Sequence, residues 1–280
     1  MTIEQLRAPG RPTRSARMSG RPGQCGPMRV MGIVNATPDS FWSGSRFSPE
    51  QAVEAGKRML ELGAWCIDVG GESTRPGAVP VTAEQELERI APVVAGIAPF
   101  GRVSVDTRHV PVAHAAVALG ASIINDVSGM LHPVAGQLGA AYVGMHSVRV
   151  PASETTLDES DVCDDVFEHL RRVARAAAAD GITELWIDPG IGFGKTAAGN
   201  IALLRALPRL CSLGTPVLLG VSRKSFIGAV TGRTVSDRLA GSLALVAPAW
   251  SAGVDIIRVH DVAETVDTVA MLEAVWGSID

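Results

Sequence analysis

The segment SIINDVSGMLHPVAGQLGAAYVGMH, residues 122–146, decides the fold. A short β-branched run is followed by turn residues, a helical stretch near 132–139 and a second apolar run over 140–145. Neither run alternates apolar with polar residues, which is the pattern of strands buried on both faces in a parallel sheet. Both deliver polar side chains at their ends: Asn125 and Asp126 after the first, His146 after the second. The same unit recurs along the chain. Strands are expected near 29–34, 64–69, 102–106, 122–125, 140–145, 184–188, 216–220 and 255–258. Helices are expected near 48–62, 82–97, 109–119, 132–139, 160–180, 199–212, 236–252 and 262–276. Eight such pairs predict an α/β chain folded as a single-domain (β/α)8 TIM barrel; a doubly wound open sheet is the alternative.

Length and composition agree. The chain has 280 residues, 46% hydrophobic and only 4% aromatic, and a βα barrel typically needs ~250 residues built largely on aliphatic side chains. No uninterrupted apolar run approaches the ~18 residues that would span a bilayer, so no membrane partner is expected. The net charge of −4 is uneven. Residues 1–29 hold six Arg and one Glu, leaving −9 on the remainder. An acidic body argues against a nucleic-acid surface. Cys25, Cys66, Cys163 and Cys211 are scattered without CxxC spacing, which disfavours a disulfide framework or zinc site and fits a cytoplasmic location. Residues 1–27 are rich in Arg, Gly and Pro and are expected to be a disordered leader ahead of a domain over 28–280. Met18 and Met28 are alternative starts.

The residues at and just past the end of each apolar run carry the chemistry. MGIVN ends in Asn35, CIDVG contains Asp68, VSVD ends in Asp106, IIND in Asn125 and Asp126, and LWID in Asp188; LLGVSRK ends in Arg223 and Lys224, and IIRVH in Arg258 and His260. In a barrel these ends converge on the face where active sites are built. Helix caps explain some Asp and Asn, but not a set that includes Lys, Arg and His. Carboxylates, an amide and cations together suit a flat heterocycle with donors and acceptors on its edge, next to an anion. DPGIGFGK (188–195) fits neither the phosphate-loop nor the dinucleotide spacing. Its glycines instead allow backbone to approach a flat ligand closely.

The motifs VMGIVNATPDSF (30–41), IDVGGESTRPGA (67–78), SVDT (104–107), IINDVSG (123–129), IDPGIGFGK (187–195), GVSRKSFIG (220–228) and IIRVHDVAETV (256–266) resemble, in order and spacing, the signatures of the dihydropteroate synthase family. The resemblance covers residues 30–275. It implies a transferase of folate biosynthesis that joins 6-hydroxymethyl-7,8-dihydropterin pyrophosphate to p-aminobenzoate, with Mg²⁺ as cofactor and a homodimer formed through the last helices. It implies a pterin pocket of Asp106, Asn125, Asp188 and Lys224, with Met145 and Phe193 over the ring faces. It places pyrophosphate at Asn35, Arg258 and His260, the metal at Asn35, and p-aminobenzoate at Thr74, Arg75, Pro76 and Ser225. Asp39 belongs to the same catalytic set, on the first loop. That loop departs from the family's usual TPDSFSDGG, since Trp42, Ser43 and Ser45 replace Ser, Asp and Gly. A non-catalytic pterin-binding paralogue and a methyltetrahydrofolate-dependent methyltransferase are the competing readings. Asp68 is expected to brace the GGEST loop, and Asp126 and His146 to be structural.

Overall fold

A computed structural model of the chain describes residues 27–36, 48–72, 79–148 and 162–276. Eight parallel strands run through it: β1 (Arg29–Asn35), β2 (Cys66–Gly70), β3 (Val103–Asp106), β4 (Ile123–Asp126), β5 (Ala141–Met145), β6 (Leu185–Asp188), β7 (Leu218–Gly220) and β8 (Ile256–Val259). Their order is β6-β5-β4-β3-β2-β1-β8-β7. The ring closes through a single parallel bridge, Ile187 to Val217. This is the expected (β/α)8 barrel, not an open sheet. Residues 1–26 of the expected leader, and Asp39, Ser43, Thr74, Arg75 and Pro76, lie outside the described residues.

Helices follow the strands as the apolar spacing requires. Pro49–Glu61 and Ala83–Ile97 each start with a capping box, Ser48 with Gln51 and Thr82 with Gln85, which satisfies two otherwise orphaned backbone donors. Two expected helices are broken. The stretch 199–212 is Ala197–Arg205 followed by Leu207–Cys211, because Pro208 has no N–H to continue the ladder. The stretch 236–252 resolves into a 3₁₀ turn, Leu239–Ala244 and Val246–Ala252, with Pro248 interrupting in the same way.

Period-two alternation sorts the strand residues. Ile67, Val69, Val105, Ile124, Ile187 and Ile257 face the helices and join the outer core. Met31, Cys66, Ile123, Val143, Trp186, Leu218 and Ile256 fill the barrel interior. Two residues further along, the same inward face presents Asp68, Asn125, Met145, Asp188, Gly220 and Arg258. Inward-facing Ser104 leads to Asp106 in the same way. The polar strand ends are thus the top layer of a filled barrel.

The opposite mouth is a stability device. Trp65 lies between the guanidinium groups of Arg29 and Arg102, each 4.6 Å from its ring centroid, and meets Trp186 edge-on at 5.7 Å. Arg102 also donates two bonds to Glu184, at 2.9 and 2.5 Å. The pair is partly solvated, which limits its worth. Arg102→Ala should therefore cost about 1–2 kcal/mol, the ion pair and the cation–π contacts together, while ligand binding at the far end stays unchanged. Thermal denaturation beside a ligand titration checks both halves.

Candidate active site

Asp106, Asn125, Met145, Asp188, Phe193, Lys224 and Arg258 line one cleft at the C-terminal ends of the strands, together with Val127, Ile191 and Gly220. Strand register explains the convergence. Asp106 pairs with Asn125 across β3 and β4, Met145 with Asp188 across β5 and β6, and Gly220 with Arg258 across β7 and β8. The free space between these side chains, open solvent included, is about 340 Å³.

The floor is an ion-pair network. The Arg258 guanidinium donates to Asp68 Oδ2 at 2.5 Å and to Asp106 Oδ2 at 2.7 Å. The Asn125 amide also donates to Asp68 Oδ2, at 2.9 Å. Among the described residues these partners lie on β4 and β8, and no bond joins Asp68 to the loop after β2. Glu72 accepts from Arg108 at 2.7 and 2.9 Å and from the Val81 amide at 3.2 Å. Asp126 is structural, as expected; it accepts from Leu131 N, from Ser128 N and Oγ, and from the Tyr142 hydroxyl.

Asp188 is set by its own loop. Its Oδ1 accepts the Gly190 amide at 2.7 Å. Gly190 has φ +65°, and a Cβ there would lie 1.8 Å from the His146 carbonyl oxygen, so only glycine fits. Lys195 ties this turn from behind, donating to the carbonyls of His146, Gly190 and Phe193 at 3.3, 2.9 and 3.2 Å. Lys224 places its Nζ 4.3 Å from the Phe193 ring centroid.

Burial governs the ionisation of these groups. Removal from water pushes Asp106 up to about 7, with Arg258 opposing the shift. Asp188 is raised for the same reason, against the Gly190 bond and the charges of Lys224, Arg258 and Lys195. Burial also pulls Lys195 down to about 7 and His146 to about 3, so His146 is neutral. Carboxylates at risk of protonation are stabilised by a ligand that brings its own N–H donors. A flat ring with an amidine-like edge matches Asp188, while Asn125 and Lys224 can serve ring acceptors.

Of the remaining expected residues, Asn35, Ser225 and His260 are described, and none of them is among the residues that line the cleft. Ser225 is exposed at the first turn of the helix Ser225–Thr231. His260 comes just after β8, and its Nδ1 is 2.9 Å from Ser222 Oγ. Alternation places residues two apart on one side only within a strand, and β8 ends at Val259. Asn35 ends β1 opposite Gly70. Arg223 turns away altogether; with φ +53° it pairs with Asp261 at 2.7 and 2.9 Å.

The pterin binding enzyme family matches residues 31–260. The chain belongs to this family. It is 42% identical over 258 residues to the dihydropteroate synthase of Escherichia coli K12, across 88% of this chain and 90% of that one. It is 43% identical over 249 residues to a probable bifunctional folylpolyglutamate synthase/dihydropteroate synthase of Haloferax volcanii; the match takes in 86% of this chain but spans only 30% of that longer relative. A Xanthomonas albilineans dihydropteroate synthase solved with 4-aminobenzoic acid superposes with a TM-score of 0.83 at 44% identity, covering 90% of this chain and 94% of that one.

Within this pterin-binding fold, Val127, Ile191 and Gly220 are cleft residues that sequence reasoning misses. Gly220 carries a signal, a glycine at a strand end where most other strands supply a polar side chain. Among the described residues, a Cβ at Gly220 would meet only Asp188 Oδ2, at 3.8 Å. Gly220→Ala should therefore keep the parent's melting temperature while lowering pterin affinity by about tenfold, the scale of one misplaced methyl in a packed pocket. Calorimetry would check this, and unchanged affinity would mean that no ring packs there.

Proposed function

We propose that the protein is a dihydropteroate synthase, condensing 6-hydroxymethyl-7,8-dihydropterin pyrophosphate with p-aminobenzoate to release 7,8-dihydropteroate and pyrophosphate. The observation that carries this reading is the cleft that joins Asp106, Asn125, Asp188 and Lys224 at the barrel mouth. Family membership and the dihydropteroate synthases among its relatives support it.

The residues divide the work. Asp188 and Asp106 accept the ring N–H groups, and Asn125 and Lys224 satisfy ring acceptors. Met145, Phe193 and Gly220 hold the ring plane. The dihydropterin can carry positive charge at its exocyclic CH₂ as the C–O bond to pyrophosphate breaks. Carboxylates fixed at the ring's edge favour that charge, and cationic Arg258, with His260, favours the departing anion. The amine nitrogen of p-aminobenzoate then forms the new C–N bond and loses a proton. Positioning and charge carry this chemistry, with no side-chain nucleophile. Thr74, Arg75, Pro76 and Ser225 would receive p-aminobenzoate, and Asp39 would act from the first loop.

Mg²⁺ belongs to the proposal. Among the described residues no three His, Cys, Asp or Glu side chains group to hold a metal, and Asn35 offers one neutral oxygen at the end of β1. That donor set fits a hard cation that takes most of its ligands from phosphate oxygens and water. Bound there, Mg²⁺ would neutralise the pyrophosphate. A homodimer through the last helices is supported by exposed Met271, Val275 and Trp276 on the helix Val262–Trp276. A cytoplasmic location is supported by the free thiols of Cys66 and Cys163. No helix among the described residues is long and apolar enough to cross a membrane.

The two ligands are expected to bind in order, because the amine's site is completed by the pterin and pyrophosphate. Calorimetry should show little heat from p-aminobenzoate alone. Saturable binding should appear once pterin, pyrophosphate and Mg²⁺ are present. Equal affinity in both conditions contradicts this reading.

A further inference from the structure

Asp68 is fully buried in the middle of β2 and is not among the residues that line the cleft. It nonetheless holds two residues that are. Its Oδ2 receives both the Arg258 Nε at 2.5 Å and the Asn125 amide at 2.9 Å. Its Oδ1 is buried without a hydrogen-bond partner among the described residues. A carboxylate kept out of water with half its acceptor capacity unused is costly. Nothing in packing requires a charge here: two residues earlier on the same inward face Cys66 sits in an apolar cluster, and an apolar side chain would continue that cluster.

We propose that Asp68 is a positioning residue for the pterin cleft, fixing the Arg258 guanidinium and the Asn125 amide through one shared carboxylate oxygen. The proposal rests on the reading that those two groups face the substrate. The geometry gives each a reason to need a tether. Arg258 has a long side chain with several rotatable bonds, and its second carboxylate partner is Asp106, itself a cleft residue. Anchored on Asp106 alone, the guanidinium could swing, taking the Asp106 carboxylate with it. The Asp68 contact to Nε leaves the end nitrogens pointed up, one toward Asp106. The Asn125 amide is oriented too. With one N–H of its NH₂ given to Asp68, the amide is held in one orientation and its second N–H remains to serve a ring acceptor. Preorganisation of this kind acts on affinity and turnover through the cleft residues, since Asp68 touches no ligand.

The test is a double-mutant cycle on affinity for 6-hydroxymethyl-7,8-dihydropterin pyrophosphate, read by calorimetry beside melting temperature. Asp68→Asn keeps the shape and removes the charge, and should weaken binding 10- to 100-fold in the parent. In an Arg258→Ala background the same change should weaken binding by less than threefold, because its main route is gone. It should also raise the melting temperature there, since it removes a buried carboxylate left without a cation. Should Arg258→Ala fail to fold, Arg258→Gln serves as the background. Ser104→Ala is the control: Ser104 is the β3 register partner of Asp68, is buried and has no side-chain hydrogen-bond partner among the described residues, so binding should stay within twofold. Equal losses from Asp68→Asn in both backgrounds, or a loss as large from Ser104→Ala, would assign the effect to general loosening and overturn the proposal. Full affinity in Asp68→Asn beside a large loss in Arg258→Ala overturns the proposal alone. If Arg258→Ala and Asn125→Ala both bind as the parent does, the reading of the cleft falls with it.

Discussion

Replacing Asp188 with Ala should weaken pterin binding by about 3 kcal/mol, roughly a hundredfold, without destabilising the protein. Two donors on the ring would lose a charged acceptor in a desolvated site, where each such bond contributes about 1.5–3 kcal/mol. The stability half of the expectation comes from the direction of the Asp188 shift. Burial raises its pKa in the folded chain, so the folded state holds a proton that the unfolded state releases as pH rises above ~3.9. The ionised carboxylate is therefore a cost to folding, fully present above the raised value and absent below the unfolded one. Asp188→Ala removes that cost, and at pH 8 its melting temperature should equal or exceed the parent's. Calorimetric titration with a pterin, paired with thermal denaturation, checks both. A variant that binds as tightly as the parent contradicts the assignment. A loss of affinity accompanied by a large fall in melting temperature would make the residue structural instead.

Lys195→Met should act in the opposite sense, lowering stability by about 3 kcal/mol through the carbonyls of His146 and Phe193 that lose their donor, while Gly190 O keeps the Phe193 amide. It should also loosen the turn that presents Asp188 and Phe193, so affinity falls with it. The pH dependence separates this residue from an ordinary packing defect. Burial lowers the ammonium to about 7, against ~10.4 in an unfolded chain. Between those values the unfolded chain binds a proton that the folded chain does not, so the stability of the parent rises with pH across the window. The cost of burying the charge is fully present below about 7 and is relieved by pH 10. Met has no such cost at any pH, so the gap between parent and variant should widen from pH 7 to pH 10. Chemical denaturation of both proteins at the two pH values tests this. A gap that is constant across the window would place the Lys195 pKa in its ordinary range.

Much of this architecture is legible along the chain, for a local reason. Each strand of a barrel covered by helices is a continuous β-branched run, and each helix has its own apolar spacing, so every element declares itself from its own residues. The two helices that break do so at Pro208 and Pro248, also a local signal, although the apolar spacing runs through both. Asn125, Asp188 and Arg258 stand out because the inward face of each strand switches from apolar to polar within two residues. The role of Asp68 does not. Its partners are Asn125, 57 residues away, and Arg258, 190 residues away, and no spacing along β2 says what lies across the barrel. The same limit explains Arg223 and Lys224. They are adjacent in sequence, yet one turns out to Asp261 and the other turns in over Phe193. Gly220 escapes notice because it contributes an absence of side chain to the cleft.

The central claim is that this cleft joins a pterin to an aromatic amine. Incubating the purified protein with 6-hydroxymethyl-7,8-dihydropterin pyrophosphate, p-aminobenzoate and Mg²⁺ tests it most directly, with dihydropteroate and pyrophosphate quantified together. The expected result is equimolar formation of both products, abolished when p-aminobenzoate is omitted and reduced at least tenfold in Asp188→Ala. Tight pterin binding with no dihydropteroate would contradict the proposed activity and identify a pterin-binding protein without this turnover.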